Sequence, residues 1–362
     1  MEQHYDVIVV GGGQAGLAMG HCLAARGASF LILDAAARSG DAWRARWRSL
    51  TLFTPARYSS LPGMPFPAEP DHLPHRDEVA DYLEEYARRF ALPVQSGTRV
   101  LAVRRAPEGR GFEVETLRSR LYAEHVVIAT GAFQRPKLPA AASTLPESVV
   151  QLHSSQYRDP EQLPPGDVLV VGGGNSGVQI AAELAAGRTT WLSIGTRVPR
   201  LPERIFGRSV FWWLERLGAI DVAIDTRMGR IASRRDLLIG QSPGMVARRL
   251  GVRLAGRTAG VAGSRIEMAD GKSLEVASVI WATGYGMDFS FIEAPVLDAR
   301  GRPIQVRGVS AVPGLYFLGL PWQHTRGSGL LGWVGRDADY LAARITAGSR
   351  PDHASSNGVR IG

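Results

Sequence analysis

The 362-residue sequence contains one cysteine, Cys22, two lysines and no long apolar run. A single cysteine excludes an intramolecular disulfide, a CxxC redox pair and a zinc site built from thiolates. Cys22 itself stands in an apolar helical pattern, so we expect a buried thiol rather than a nucleophile. No apolar stretch approaches the roughly 20 residues that span a bilayer. We therefore expect no metal site and no membrane association.

Because lysine is scarce, the net charge of +8 is carried almost entirely by arginine. The arginines are scattered and never form a run longer than two, which favours an arginine-rich solvated surface over a stripe that binds nucleic acid. The first apolar strand begins at Tyr5, so we expect no signal peptide and a cytoplasmic protein. The length allows two domains with a substantial core.

Glycine, by contrast, is abundant at 42 residues, and a glycine-rich motif occurs twice. The first copy, VVGGGQAG, follows an apolar strand and opens a helix, and a second strand ends at Asp34. Gly11 permits the turn, Gly13 leaves room for a pyrophosphate, and Gly16 lets the helix pack closely on the strand. The carboxylate of Asp34 can accept both hydroxyls of an adenosine ribose. This combination predicts a dinucleotide-binding site.

The second copy, VVGGGNSG, repeats the strand, the turn and the helix, but its next strand ends differently. The position equivalent to Asp34 holds Gly195, and Arg197 follows. A carboxylate would repel a 2′-phosphate, whereas an arginine can bind one through a bidentate fork. We therefore predict NADPH here, with a plain surface role for Arg197 as the alternative. Two nicotinamides have nothing to exchange, so FAD in the first site and NADPH in the second form the useful redox pair.

An Ala-Thr-Gly turn also occurs twice, each time after a strand and downstream of its own glycine motif. Alternating strands precede the turns, at residues 98–117 and about 252–277, and a strand at 315–318 has no dinucleotide unit of its own. We predict an α/β fold with two Rossmann-like dinucleotide-binding domains of three-layer ββα type. The NADPH domain is expected at 146–285, with a helical insertion at about 203–250, inside a discontinuous FAD domain at 1–145 plus 286–362.

These residues resemble the flavin-containing monooxygenases, the class B flavoprotein monooxygenases that include YUCCA-type, small bacterial and Baeyer–Villiger enzymes. His153 and Tyr157 match the second half of the group's fingerprint, whereas Glu147 and Val149 depart from its first half, and Phe53 stands where animal-type members carry an asparagine. The resemblance covers roughly residues 5–346 and is carried by VVGGGQAG, GDAWRARWRSLTLFTPARYSSLPGMPFP, VVIATGAFQRP, QLHSSQYRDP, VVGGGNSG and VIWATGY.

The resemblance implies that NADPH reduces FAD, that reduced FAD captures O2 as a C4a-(hydro)peroxyflavin, and that one oxygen atom enters a small organic substrate. FAD contacts are expected from Gly11, Gly13, Gln14, Ala15, Gly16, Asp34, Ala35, Asp41, Trp43, Val100, Ala129, Thr130, Gly131, Gly319 and Arg326. NADPH contacts are expected from Gly172, Gly174, Asn175, Ser176, Gly177, Arg197, Ala282, Thr283, Gly284 and Tyr285. Candidate catalytic residues in the closing loop are Gln323, His324 and Arg326.

Several alternatives stay open at this point. His153 is expected either to contact NADPH or to form a structural hydrogen bond at the hinge between the domains. The aromatic run Phe211–Trp213 either lines an apolar entrance or packs in the core or a homodimer interface. The chemistry could also be Baeyer–Villiger oxygenation, oxidative decarboxylation of a keto acid, or simple NADPH:flavin oxidoreductase or oxidase activity. A nucleotide-sensing flavoprotein without catalysis is the alternative from another class.

Overall fold

Two large sheets built around parallel strands dominate the chain. The computed structural model describes residues 3–107, 109–196, 198–234 and 237–348. The strands are β1 (Gln3–Val10), β2 (Phe30–Leu33), β3 (Val94–Gln95), β4 (Val100–Arg105), β5 (Phe112–Thr116), β6 (Arg120–Ile128), β7 (Arg135–Pro136), β8 (Val150–His153), β9 (Val168–Val171), β10 (Thr190–Ser193), β11 (Arg200–Leu201), β12 (Arg204–Ile205), β13 (Arg208–Ser209), β14 (Leu238–Ile239), β15 (Arg253–Ala255), β16 (Thr258–Ala262), β17 (Arg265–Met268), β18 (Ser273–Glu275), β19 (Ser278–Trp281), β20 (Tyr285–Gly286), β21 (Ile292–Glu293), β22 (Gln305–Val306), β23 (Val309–Ser310) and β24 (Leu315–Phe317). The helices are α1 (Gln14–Ala24), α2 (Asp41–Arg44), α3 (Arg76–Arg89), α4 (Asn175–Leu184), α5 (Val210–Arg216), α6 (Arg227–Ala232), α7 (Pro243–Leu250) and α8 (Val334–Gly348).

The first sheet is centred on β1, which lies between β6 and β2 and runs parallel to both. The last four residues of β1, Val7–Val10, are buried, as expected of a central parallel strand covered on both faces. Helix α1 packs between this sheet and α8, and its Leu17 and Leu23 are fully buried. Each such side chain contributes about 1.5–3 kcal/mol of hydrophobic stabilisation. Strands β4, β5 and β6 pair antiparallel and extend the same sheet.

The second sheet repeats this design on a smaller scale. Its five strands have the order β15-β10-β9-β19-β8 and are all parallel. Strands β16, β17 and β18 form a separate antiparallel sheet. The predicted α/β fold with two Rossmann-like domains is therefore confirmed.

Two crossing peptides join the two sheets. The outgoing peptide contains β7 and the returning peptide contains β20, and these two strands pair antiparallel. Beyond the return, β21 pairs with β4 and β24 pairs with β6, both in the first sheet. The exact domain boundaries at 145/146 and 285/286 stay predictions.

The segment predicted as a helical insertion at about 203–250 is only partly helical. It contains α5, α6 and α7, but also the hairpin β12–β13 and strand β14, which pairs with β11. Its core is small and aromatic, with Phe211 and Ile220 fully buried. The strands escape a search for helical periodicity because each spans only two residues.

Candidate functional site

The first glycine turn is shaped by close backbone contacts. Gly11 has a φ of +107°, and a Cβ there would lie 2.6 Å from the carbonyl oxygen of Ala129. A Cβ on Gly16 would lie 1.8 Å from the carbonyl oxygen of Gly11. A Cβ on Gly13, by contrast, would meet no atom within 4 Å. Gly11 and Gly16 are thus required by packing, whereas Gly13 keeps a space open in front of α1.

The second glycine turn has the same geometry. Gly172 has a φ of +125°, and its added Cβ would lie 2.3 Å from the carbonyl oxygen of Ala282. The equivalent distance from Gly177 to the carbonyl oxygen of Gly172 is 1.9 Å, and Gly174 again faces open space. The Ala-Thr-Gly turns therefore pack directly beneath the glycine turns, which explains why the two motifs recur together.

Both open spaces suit the pyrophosphate of a dinucleotide. Gly13 and Gly174 are the N-cap residues of α1 and α4, and neither helix start has a side-chain cap. The first N–H groups of each helix are therefore available to an anion, assisted by the helix dipole. We call the open space in front of each of these glycines a cradle. A side chain at either glycine would fill it. The residues present thus fit a bound dinucleotide at both turns.

Asp34 ends the second strand of the first unit at the predicted place. Its carboxylate accepts hydrogen bonds from the backbone N–H of Gly12 at 3.0 Å and of Ala36 at 2.9 Å. Burial raises the pKa of this carboxyl above its ordinary value. These backbone donors fix the acid beside the turn, where an adenosine ribose would need its acceptor.

At the corresponding position in the second unit, Gly195, the neighbouring side chain is an arginine that the sequence analysis did not identify. A Cβ on Gly195 would lie 3.3 Å from Nε of Arg257. Arg257 is exposed and stands between β15 and β16, far along the chain from the motif. The predicted phosphate ligand Arg197 lies outside the described residues. A parallel sheet brings the ends of β10 and β15 together, so only the pairing of these strands could reveal Arg257.

The closing loop after β24 returns to the first unit. A Cβ on Gly319 would lie 2.6 Å from Cβ of Ala15, and Nε2 of Gln14 donates to the carbonyl oxygen of Gly329 at 3.1 Å. Arg326 begins a 3-10 turn that is capped by Thr325. The loop therefore packs against the first residues of α1.

Six other residues predicted to contact FAD lie in varied surroundings. Trp43 packs against the main core, and Thr130 accepts a hydrogen bond from Nε2 of Gln134 at 2.6 Å. Asp41 pairs with Arg38 and Arg44 at 3.1 and 3.2 Å. Val100 opens β4. Ala35 follows Asp34 directly, and Gly131 faces open space.

Some of the residues predicted to contact NADPH form hydrogen bonds to other parts of the protein. Asn175 donates from Nδ2 to the carbonyl oxygen of Leu237 at 3.3 Å and accepts from the N–H of Ile239 at 3.1 Å. Its side chain therefore holds β14 of the insertion beside the second turn. The hydroxyl of Thr283 donates to the carbonyl oxygen of Lys137, which ties the returning peptide to the outgoing one. Ser176 is partly buried in the first turn of α4.

His153 lies at the hinge. Its Nε2 is 3.1 Å from the carbonyl oxygen of Gly284, and its Nδ1 is 2.9 Å from the hydroxyl of Ser155. Burial lowers the pKa of His153, which favours the neutral imidazole. Both ring nitrogens therefore have hydrogen-bond partners within the protein. This favours the structural hydrogen bond at the hinge over contact with NADPH. Tyr157 is also structural, because its buried hydroxyl donates to Glu183 of α4 at 2.8 Å.

The candidate catalytic residues of the closing loop face different ways. Gln323 is buried, and its Oε1 accepts from the N–H of Leu320 at 3.3 Å. A Cβ on Gly308 would lie 2.6 Å from Nε2 of Gln323, so this side chain packs against the β22–β23 hairpin. His324 is partly exposed.

The aromatic run divides between core and surface. Phe211 is fully buried and stacks with Phe53 and Trp333 at centroid distances of 6.2 and 5.6 Å. It therefore joins the insertion to the first domain and to the closing loop. Trp212 and Trp213 are only partly buried.

Cys22 is a core thiol, as predicted. It is buried, and burial raises its pKa to about 11. Among residues 3–348, apart from the undescribed positions, no cluster of three or more metal-ligating side chains occurs. Within the same ranges, no helix is long and apolar enough to cross a membrane.

Comparison with known proteins identifies the family. Residues 8–197, just over half of the chain, match the pyridine nucleotide-disulphide oxidoreductase family. The chain belongs to this family. It is 46% identical to a CzcO-like oxidoreductase of Geobacillus kaustophilus, over 94% of this chain and 98% of that protein.

Several relatives with named activities are monooxygenases. Indole-3-pyruvate monooxygenase YUCCA1 of Oryza sativa is 33% identical to this chain. The match covers 56% of this chain and 51% of that protein. The structure of the flavin-containing monooxygenase from Stenotrophomonas maltophilia superposes with a TM-score of 0.81 at 30% identity, over 96% of this chain and 100% of that one. The oxidoreductase described here is thus an NADPH-dependent flavoprotein monooxygenase that uses FAD and NADPH, as predicted.

Proposed function

We propose that this oxidoreductase uses hydride from NADPH and O2 to insert one oxygen atom into a small organic substrate and to release the other as water, with bound FAD supplying C4a-(hydro)peroxyflavin chemistry. The observation that carries the proposal is the pairing of two open glycine cradles with a single buried cysteine. Bound FAD supplies the group that accepts hydride and reacts with O2. Because the chain has no cysteine pair, the electrons have no protein disulfide to reduce.

The residues around the first cradle would orient the flavin and exclude water. The closing loop lies against Ala15 and Gln14, and the stack of Phe53, Phe211 and Trp333 seals the insertion onto it. Water exclusion matters because a reactive oxygen adduct is lost by proton leakage. His324, partly exposed in this loop, is our candidate for contact with the substrate.

Rapid mixing tests the proposal. The FAD-loaded protein is reduced anaerobically with NADPH and then mixed with oxygenated buffer while the flavin absorbance is followed. We expect full reduction by NADPH and then a transient band distinct from reduced and oxidised flavin. Immediate return of oxidised flavin with stoichiometric hydrogen peroxide would instead identify a simple oxidase. Absence of reduction by NADPH would contradict both.

Substrate type can be tested with the same protein. Thioethers and amines report oxygen transfer to a soft nucleophile, whereas ketones and keto acids report attack on a carbonyl. We expect NADPH oxidation to match product formation for one of these classes. Peroxide release equal to NADPH consumption with every compound would count against a small organic substrate of these types.

A further inference from the structure

Arg46 connects the two domains at the point where the chain crosses between them. It follows α2 in the first domain, and its Nη1 donates to the hydroxyl of Tyr285 at 2.7 Å. Tyr285 comes directly after the second Ala-Thr-Gly turn and opens the returning strand β20. The bond therefore runs from the FAD domain to the end of the NADPH domain, between positions 239 residues apart in the sequence.

Aromatic rings complete this junction. The guanidinium carbon of Arg46 lies 5.4 Å from the ring centroid of Tyr285 and 5.7 Å from that of Phe133 in the outgoing peptide. The two rings meet edge to face at 5.4 Å, and the ring of Tyr285 also meets that of His153 at 4.9 Å. Arg46 thus contacts both crossing peptides at once, and Tyr285 passes the contact on to β8.

The surroundings of Arg46 are positively charged. Burial and the neighbouring charges of Arg76 and Arg46 hold the pKa of Arg158 below its usual value. The backbone carbonyl oxygen of Arg46 also accepts a hydrogen bond from Arg76, which fixes the peptide that carries Arg46. A neutral phenol as partner makes a weaker bond than a carboxylate would. Such a bond holds a preferred arrangement yet can break when the domains move.

We propose that Arg46 and Tyr285 form an interdomain latch that sets how the NADPH domain docks on the FAD domain. Hydride transfer needs the reacting atoms about 3–3.5 Å apart and aligned, and the two cradles lie in different domains. Arg46 is therefore a positioning residue for the reductive half of the reaction. This inference rests on the proposed function only in that NADPH is the hydride donor and FAD the acceptor.

Amide hydrogen exchange of the FAD-loaded protein without NADPH gives a readout that does not depend on activity. The N–H of Lys137 donates to the carbonyl oxygen of Gly284 at 3.0 Å, within the paired crossing peptides. We expect Tyr285→Phe, which keeps the ring and removes the hydroxyl, and Arg46→Ala to speed amide exchange severalfold in peptides covering 132–137 and 284–288. The matched control is Arg105→Ala, since Arg105 stacks on Phe112 at 4.5 Å within one domain. Unchanged exchange at the crossing in both variants overturns the latch.

Reduction kinetics test the positioning role. We expect Tyr285→Phe to lower the limiting rate of anaerobic flavin reduction about fivefold and Arg46→Ala about tenfold, less than the roughly 100-fold that a 1 Å misplacement can cost. The double variant should be no slower than Arg46→Ala, because both changes remove the same contact. Arg46→Lys should recover part of the rate. Multiplying effects, or a change confined to the dissociation constant of NADPH, would overturn the proposal.

The two proposals fail in different ways. If the wild-type protein is not reduced by NADPH, the proposed function is wrong, while the exchange experiment still decides whether the latch exists. If the wild type is reduced and the variants match it in both exchange and rate, only the latch is wrong.

Discussion

The two glycine turns are nearly identical in steric design and differ in what surrounds them. In each, one glycine turns the strand, one lies so close to a backbone oxygen that an added Cβ would be under 2 Å from it, and one faces open space. The first turn is followed by Asp34, held by two backbone N–H groups, and the second by Gly195 with Arg257 against it. The backbone of the motif therefore suits a dinucleotide, and we expect the residues at the end of the next strand to decide which one.

The largest effect is expected where an added Cβ meets backbone. Gly16→Ala and Gly177→Ala would each place a Cβ within 2 Å of a carbonyl oxygen, which requires the helix to move off its strand. We expect a loss of about 3 kcal/mol of stability in either domain, measured by denaturant unfolding. Gly187→Ala is the control, because its Cβ meets nothing within 4 Å. Equal stability of all three variants would show that the turns are not tightly packed.

The next effect separates the two cradles. Gly13→Ala and Gly174→Ala add a Cβ where no protein atom stands within 4 Å, so folding should be unchanged. We expect about tenfold weaker FAD binding from Gly13→Ala, and about tenfold weaker NADPH binding with normal FAD content from Gly174→Ala. Flavin content after purification and NADPH titration measure the two effects. If FAD instead bound at the second turn and NADPH at the first, Gly174→Ala would weaken FAD binding and Gly13→Ala would weaken NADPH binding.

A smaller effect tests the ends of the strands. Arg197→Ala and Arg257→Ala should each raise the KM for NADPH about threefold to tenfold and leave that for NADH little changed, because each removes a charged partner for the 2′-phosphate. Steady-state kinetics with both nucleotides check this. A similar rise for NADH would mean that neither arginine reads the phosphate.

The smallest effect concerns pH. Burial lowers the pKa of His21 in the first unit and of His153 in the second below the ordinary 6.5. The stabilisation by each neutral imidazole is full above pH 6.5 and is lost as the pH falls towards the lowered folded-state value, because the unfolded chain takes up the proton first. We expect His153→Gln to reduce the fall in Tm between pH 7.5 and 5.5 by about 2 °C.

His21→Gln should change this pH dependence to a similar extent. Only His153→Gln should also change hydrogen exchange at the crossing, because His153, unlike His21, contacts Gly284 and Tyr285. Equal exchange in both variants would remove the special role of His153 at the hinge.

The sequence predicted most of the cofactor-binding architecture but little of the junction. The glycines and Asp34 were predictable because their roles depend on backbone sterics and on spacing within one strand–turn–helix unit. Gln323 looked like a substrate contact because its loop returns to the flavin side, yet its side chain packs against Gly308. The direction of a loop side chain depends on contacts with distant segments, which spacing does not encode.

What the sequence by itself determined is therefore the pair of dinucleotide-binding units, their order and the acid that distinguishes the first from the second. What only the tertiary structure decided is how the units are joined: Arg46 on Tyr285, and His153 on Gly284. It also decided that Arg257 stands at Gly195. Local motifs persist in sequence because each is built from residues a few positions apart. Contacts between domains depend on how complete sheets pack, and no short pattern records that packing.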